Sequence, residues 1–253
     1  MPNILLGVSG SIAAYRACDV ARELMRAGHT VRVVMTHAAA RLVSPDTFAA
    51  LTGNPVVVDV FDEPEPGQIA HIRLAQDSDL ILIAPATAHT IARLALGLAD
   101  DMLTTLALAT RAPILIAPAM NPAMWMHPAT QAHVQTLQAR GVEFINPIYG
   151  VMACGDEGWG KIADTPIIVQ AVQQRLQRTQ DLQGVHVLIT AGPTYEPIDP
   201  VRFVGNRSSG KMGYAVAEAA LAYGAEVTLI TGPTALTPPA GAKVIRVQTA
   251  QQM

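Results

Sequence analysis

Ile4-Leu5-Leu6-Gly7-Val8-Ser9-Gly10-Ser11-Ile12-Ala13-Ala14 begins as a continuous apolar run and passes, at its glycines and serines, into a helix-like segment. The same alternation recurs downstream: residues 4–8 then 12–27, 31–35 then 45–51, 80–84 then 91–108 in one or two helical pieces, and 114–117 then 129–140, with a closing helix at 167–176. Short apolar strands separated by helices predict an α/β fold, a doubly wound parallel sheet covered on both faces. In such sheets ligands bind beyond the carboxyl ends of the strands, so the loops after the strands are where chemistry is expected.

Composition sets the outer bounds. With 253 residues, 50% of them hydrophobic, there is ample material for a core, and 18 Pro with 19 Gly predict many short connections. A net charge of -3 without a long basic run argues against a nucleic-acid surface and gives no reason to expect anionic lipid as a partner. A small molecule is the expected partner. No apolar stretch is long enough to span a bilayer and residues 1–8 read as a strand, not a signal, so the expected location is the cytoplasm. Cys18 and Cys154 are the only cysteines, which excludes a disulfide framework and a four-thiolate zinc site. No metal site is expected from the first domain.

Between residues 178 and 184, Arg-Thr-Gln-Asp-Leu-Gln-Gly is polar and lacks an apolar period, as a linker does. The predicted organisation is a first domain at 1–178, a linker at 179–184, and a second α/β unit at 185–253. The second unit restarts the pattern with strands at 185–190, 227–231 and 244–247 and a helix at 214–223. A doubly wound sheet needs more than three strands, so this second domain is expected to be partial.

The turn after the first strand, Gly10-Ser11-Ile12, sets unpaired backbone N–H groups and the positive end of a helix beside small hydroxyls, which is an anion site. It is not Gly-x-Gly-x-x-Gly. The second strand ends Val34-Met35-Thr36-His37, with no carboxylate to hold a ribose diol, so a mononucleotide fits better than NAD. A strand-to-helix turn that binds nothing is the plain alternative.

Downstream, the apolar run 114–117 meets Pro118-Ala119-Met120-Asn121-Pro122-Ala123-Met124-Trp125. A loop holding one amide among prolines and methionines can set a polar substrate group against a flat apolar cofactor. A proline-bounded turn packed by methionines is the plainer reading of the same residues. Read as Pro-x-Met-Asn-x-x-Met-Trp, this stretch resembles the signature of the homo-oligomeric flavin-containing cysteine decarboxylases. The fold that resemblance implies is flavodoxin-like or Rossmann-like, and the cofactor is FMN.

By the same resemblance, Gly10, Ser11 and Ile12, then Thr36, then Thr87, Ala88, His89 and Thr90, with Ala119 and Met120, hold FMN. His89 departs from the Asn or Asp of many relatives. Asp100-Asp101 departs from the usual Asn-containing pair and reads as a helix N-cap. His71, in Ala70-His71-Ile72-Arg73-Leu74, matches the essential histidine, a base or orienting group for substrate thiol and carboxylate. Asn121 would hold the carboxylate, with an Asx-turn before Pro122 as its alternative role. Cys154 lies in a glycine-rich flap, Ala153 to Gly160, and would donate the last proton. Gly155 and Lys161, the latter an Arg in many relatives, serve that flap. FMN is needed because the electrons released with carbon dioxide require a sink. Hydride removal from the cysteine Cβ gives a thioaldehyde, loss of carbon dioxide an enethiol, and return of hydride plus a proton the saturated thiol.

In the second unit, Thr190-Ala191-Gly192-Pro193-Thr194, Asp199-Pro200-Val201-Arg202-Phe203 and Asn206-Arg207-Ser208-Ser209-Gly210-Lys211-Met212-Gly213 resemble the start of a phosphopantothenate–cysteine ligase domain, which bacteria fuse behind such a decarboxylase. The resemblance implies coenzyme A biosynthesis, with phosphopantothenoylcysteine as the decarboxylase substrate. It also implies CTP with Mg2+ for the ligase, Asn206 and Lys211 in its site, trimeric decarboxylase cores, paired ligase domains and a dodecamer. The chain as given is expected to decarboxylate but not to ligate. A peptidyl-cysteine decarboxylase and a noncatalytic FMN-binding regulatory subunit are the alternatives.

Overall fold

The opening apolar run is β1 (Asn3–Val8), buried from its second residue onward. A single 3-10 turn (Ile12–Tyr15) and α1 (Arg16–Arg26) lead to β2 (Thr30–Met35), followed by α2 (His37–Ala40), α3 (Pro45–Thr52) and the two-residue β3 (Val56–Val57). Then come α4 (Ala70–Asp77), β4 (Leu80–Ala86), α5 (Ala88–Leu96), α6 (Met102–Ala109), β5 (Ile114–Pro118), α7 (Pro122–Met126), α8 (Pro128–Ala139) and β6 (Glu143–Phe144). An antiparallel hairpin, β7 (Ile148–Val151) with β8 (Glu157–Lys161), precedes α9 (Thr165–Gln177). This computed structural model describes residues 1–61, 70–153, 155–177 and 181–253. The chain divides into two units, Met1–Leu176 and Gln177–Met253.

Six strands of the first unit form one parallel sheet in the order β3-β2-β1-β4-β5-β6. That is the Rossmann order, and its direction reverses between β1 and β4. Side chains of β1 alternate across the sheet: Ile4, Leu6 and Val8 join a core with Val20, Leu24, Phe48 and Val172, while Leu5 joins one with Ile91, Leu103, Leu106 and Leu137. Each such fully buried aliphatic side chain stabilises the fold by about 1.5–3 kcal/mol. The helices face inward for the same reason. In α1 the buried residues Ala17, Val20, Ala21 and Leu24 recur at helical spacing.

The helical stretch at 91–108, expected as one or two pieces, is two helices, because Gly97 ends α5 in the left-handed conformation at φ 71°. Other elements differ from the sequence expectation. Of residues 118–125 only 119–121 are loop: Pro118 ends β5, and Pro122, suited to a first helical position, starts α7. The glycine-rich flap is a hairpin, and β3 and β6 are two residues each, too short to show any period.

The second unit contains β9 (His186–Ala191), β10 (Tyr195–Pro197), β11 (Phe203–Gly205), α10 (Lys211–Ala222), β12 (Glu226–Thr231) and β13 (Lys243–Arg246). Its parallel sheet runs β13-β12-β9, with β10 and β11 as a separate antiparallel pair. Ile189, Tyr214, Ala217, Val227 and Leu229 form its core. Among the described residues no helix is long and apolar enough to cross a membrane.

Candidate active site

At the carboxyl edge of the first sheet, Ser9 is fully buried and ties β1 to the end of β4. Its Oγ donates to the Pro85 carbonyl at 2.8 Å and accepts the Thr87 N–H at 2.9 Å. Three loops then start helical turns in the same way. Ser11 Oγ accepts the Ala13 N–H at 3.3 Å, Thr36 Oγ1 the Ala39 N–H at 3.2 Å, and Thr87 Oγ1 the Thr90 N–H at 3.2 Å. Small hydroxyls are preferred at these positions because they satisfy N–H groups that the helix cannot. Each start still presents further N–H groups and the positive helix end, a setting suited to an anion.

The end of β5 is held from two sides. Ala119 N–H donates to the Ala86 carbonyl at 2.9 Å, and Met120 N–H donates to the Gly160 carbonyl of the hairpin at 3.0 Å. Gly160 permits this approach, since a Cβ there would sit 2.3 Å from the Met120 carbonyl oxygen, and its φ of 141° disfavours other residues. Asn121 does two things at once. Its Oδ1 accepts the Ala123 N–H at 2.8 Å, capping α7, while its Nδ2 donates to Asp156 Oδ2. Tyr149 and Trp159 pack edge to face across the hairpin, with ring centroids 5.9 Å apart.

Between these segments lies a cleft of about 690 Å³. Gly10, Ser11, Ile12, Thr87, Ala119, Met120, Asn121 and Lys161 line it, so eight residues singled out from four separate stretches of sequence share one cavity. Others stand outside its lining. Thr36 caps α2, Ala88, His89 and Thr90 form the first turn of α5 with His89 exposed, and Gly155 is an exposed turn residue at φ 89°. His71 is on the first turn of α4, half-buried, with a buried Nδ1 that has no hydrogen-bond partner among the described residues. Cys154 lies outside the described residues.

Two residues of this region, Ser9 and Arg16, are not among those the sequence motifs single out. For Ser9 the signal is a serine directly after a buried strand. Arg16 lines the cleft, its Nη1 3.2 Å from Asp164 Oδ1. The Tyr15 hydroxyl and then Asp164 raise its pKa further, against the opposing effect of burial. Met124 adds apolar wall. Asp101 caps α6 through the Thr104 N–H at 2.8 Å and pairs with Arg93 at 2.6 Å, which is a helix-start role. Among the described residues no group of three or more His, Cys, Asp or Glu is placed to hold a metal.

A family model described as Flavoprotein matches residues 1–177. The chain belongs to the flavoprotein family. A second model, the DNA/pantothenate metabolism flavoprotein C-terminal domain, matches residues 182–253. The coenzyme A biosynthesis bifunctional protein CoaBC of Mycobacterium tuberculosis is 50% identical over 99% of this chain and 61% of its own length. The chain thus spans about three fifths of the length of the curated relatives it matches. Among solved structures, the FMN-dependent cysteine decarboxylase SpaF is 34% identical at a TM-score of 0.59, over 68% of this chain and 98% of its own. A cysteine-to-serine variant of a PPC decarboxylase, complexed with pantothenoylaminoethenethiol, is 30% identical at a TM-score of 0.61, over 68% and 96%.

The cleft of this flavoprotein suits an anionic flat cofactor on its own chemistry. Hydroxyl-capped helix starts at Ser11 and Thr87 would suit a phosphate, and Ile12, Met120 and Met124 offer apolar surface on which a ring could lie. In the second unit, Gly192, Ser208, Ser209 and Lys211 line a separate cavity of about 430 Å³ where α10 begins. Asn206 stands exposed beside it, outside the lining, its Oδ1 accepting the Ser208 N–H at 2.9 Å.

Proposed function

We propose that the first unit binds FMN in the 690 Å³ cleft and removes the carboxylate from the cysteine of phosphopantothenoylcysteine, giving phosphopantetheine in coenzyme A biosynthesis. The observation that carries this reading is the meeting of the Ser11, Thr87 and Asn121 loops with the hairpin residue Lys161 around one cavity. What FMN would supply when bound is a hydride acceptor, which turns the substrate's own cysteine side chain into the sink for the electron pair left as carbon dioxide departs. The chain's own residues bind and orient. Ser11 and Thr87 present N–H groups to the cofactor phosphate, with Gly10 and Ile12 beside them, and Thr36, Ala88, His89 and Thr90 complete the loops. Asn121, fixed at Oδ1 by its cap, aims its amide at the substrate carboxylate in exchange for Asp156. His71 orients or deprotonates the thiol.

Cys154 supplies the final proton, with Gly155 as the turn that carries it. A decarboxylase relative whose cysteine is serine is complexed with an enethiol, which supports a cysteine that acts after carbon dioxide is lost. The second unit belongs, in this reading, to a CTP- and Mg2+-dependent phosphopantothenate–cysteine ligase, with Asn206 and Lys211 in its site. Cytoplasmic location, trimeric decarboxylase cores and paired ligase units are part of the same proposal. The decisive experiment is purification followed by a flavin absorbance spectrum and an assay of carbon dioxide release from phosphopantothenoylcysteine. A yellow, active protein is expected; a colourless or inactive one overturns the reading.

A further inference from the structure

Among the described residues the charged groups lining the 690 Å³ cleft are Arg16 and Lys161, both cations, while Asp156, a carboxylate at its edge, is held by the Asn121 amide. The two are not equivalent. Arg16 is committed to Asp164 at 3.2 Å and to Tyr15. Lys161, at the end of β8, has no ion pair or hydrogen bond among the described residues. Its stem lies across Gly150 of the neighbouring strand, where a Cβ would stand 3.1 Å from Lys161 Cδ and 3.6 Å from Nζ. The missing side chain at 150 therefore leaves room for the stem of the lysine, and Lys161 lines the cavity without a counter-charge of its own among the described residues.

The remaining polar groups of the cleft are neutral. Ser11 and Thr87 belong to helix starts on the sheet side, and Asn121 is fixed by its cap. A phosphate monoester carries about -1.5 to -2 charge near neutral pH and takes a lysine well. Two such groups would enter this cleft under the decarboxylase reading, one on the cofactor and one on the substrate. The sheet-side helix starts already serve the first. We infer that Lys161 recognises the phosphate monoester of the substrate, so that the hairpin wall selects a phosphorylated acyl-cysteine over its dephosphorylated form or a peptide.

This inference rests on the proposed decarboxylase reading, and binding measurements separate the two. FMN-loaded protein titrated with phosphopantetheine and with pantetheine should bind the phosphorylated compound about tenfold more tightly at low salt, about 1.4 kcal/mol, with the ratio shrinking as salt rises. Lys161→Met should bring the ratio close to one by weakening only the phosphorylated compound, and Lys161→Arg should restore it. An unchanged ratio in Lys161→Met, equal loss of both compounds, or no binding of either overturns the inference. Selective loss of FMN affinity over riboflavin in Lys161→Met also overturns it, because the phosphate recognised would then be the cofactor's. Carbon dioxide release from saturating phosphopantothenoylcysteine by the unsubstituted protein, assayed in parallel, reports on the decarboxylase reading alone.

Discussion

Ser9 and Thr87 meet at the point where the strand order reverses: the Thr87 N–H donates to Ser9 Oγ at 2.9 Å, across the junction of β1 and β4. The contact fixes the loop that starts α5 relative to the loop that starts at Gly10. Ser9→Ala removes the acceptor while the site stays buried, so the variant should lose about 1–3 kcal/mol in urea unfolding. Flavin retention on gel filtration should weaken with it. Unchanged stability and retention would show the clasp to be dispensable.

Asn121 separates two roles by atom. Asn121→Ser keeps an oxygen suited to capping α7, and the melting temperature should change little. It removes the amide that would hold the carboxylate, and carbon dioxide release should fall about 100-fold, the scale for one lost donor to developing charge. A variant that retains activity would leave Asn121 with only its capping function.

His71 and Cys154 divide the reaction in time. His71→Asn should remain yellow and release no carbon dioxide; loss of FMN instead would make it a cofactor ligand. Cys154→Ser should release carbon dioxide and accumulate the enethiol, two hydrogens lighter than the saturated product by mass spectrometry. Normal product from that variant would remove the proton-donor role.

His29 gives a pH dependence independent of the chemistry. Burial, followed by the nearby N-terminal amine, lowers its pKa below the ordinary value, and its Nδ1 is buried without a partner among the described residues. The unfolded chain therefore binds a proton more readily than the folded one. Stability should rise with pH through the unfolded value of about 6.5 and be lost as pH falls below it. His29→Gln should flatten that part of the urea-midpoint profile; an unaltered slope would assign it elsewhere.

The central strands could be read from sequence because a parallel sheet covered on both faces demands unbroken apolar runs, as at Leu80 to Ile83 and Ile114 to Ala117. β3 and β6 could not, since two residues carry no period. α4 carries His71 and was passed over because its apolar residues, Ala70, Leu74 and Ala75, are few. The site was readable where backbone need dictates residue type: hydroxyls at Ser11, Thr36 and Thr87 begin helical turns. Lys161 was marked by its place beside the glycine-rich flap, but Arg16 joins it in one cavity only through tertiary folding, and nothing near Arg16 in sequence marks it. Asn121 shows the limit most clearly, because the residues allowed both a cap and a substrate ligand, and one side chain has atoms for each.

The centre of the first sheet also imposes an order on synthesis. β1 pairs with β2 on one side and with β4 on the other, Gly7 standing opposite Val34 and Ile83. Its second neighbour is made more than seventy residues after it. Until the ribosome has delivered Ile83, a strand that is apolar from Ile4 to Val8 has one open flank, and the first unit cannot close around its own middle. The nascent chain therefore reaches a protected state late, when β4 slots in and Ser9 acquires Pro85 and Thr87.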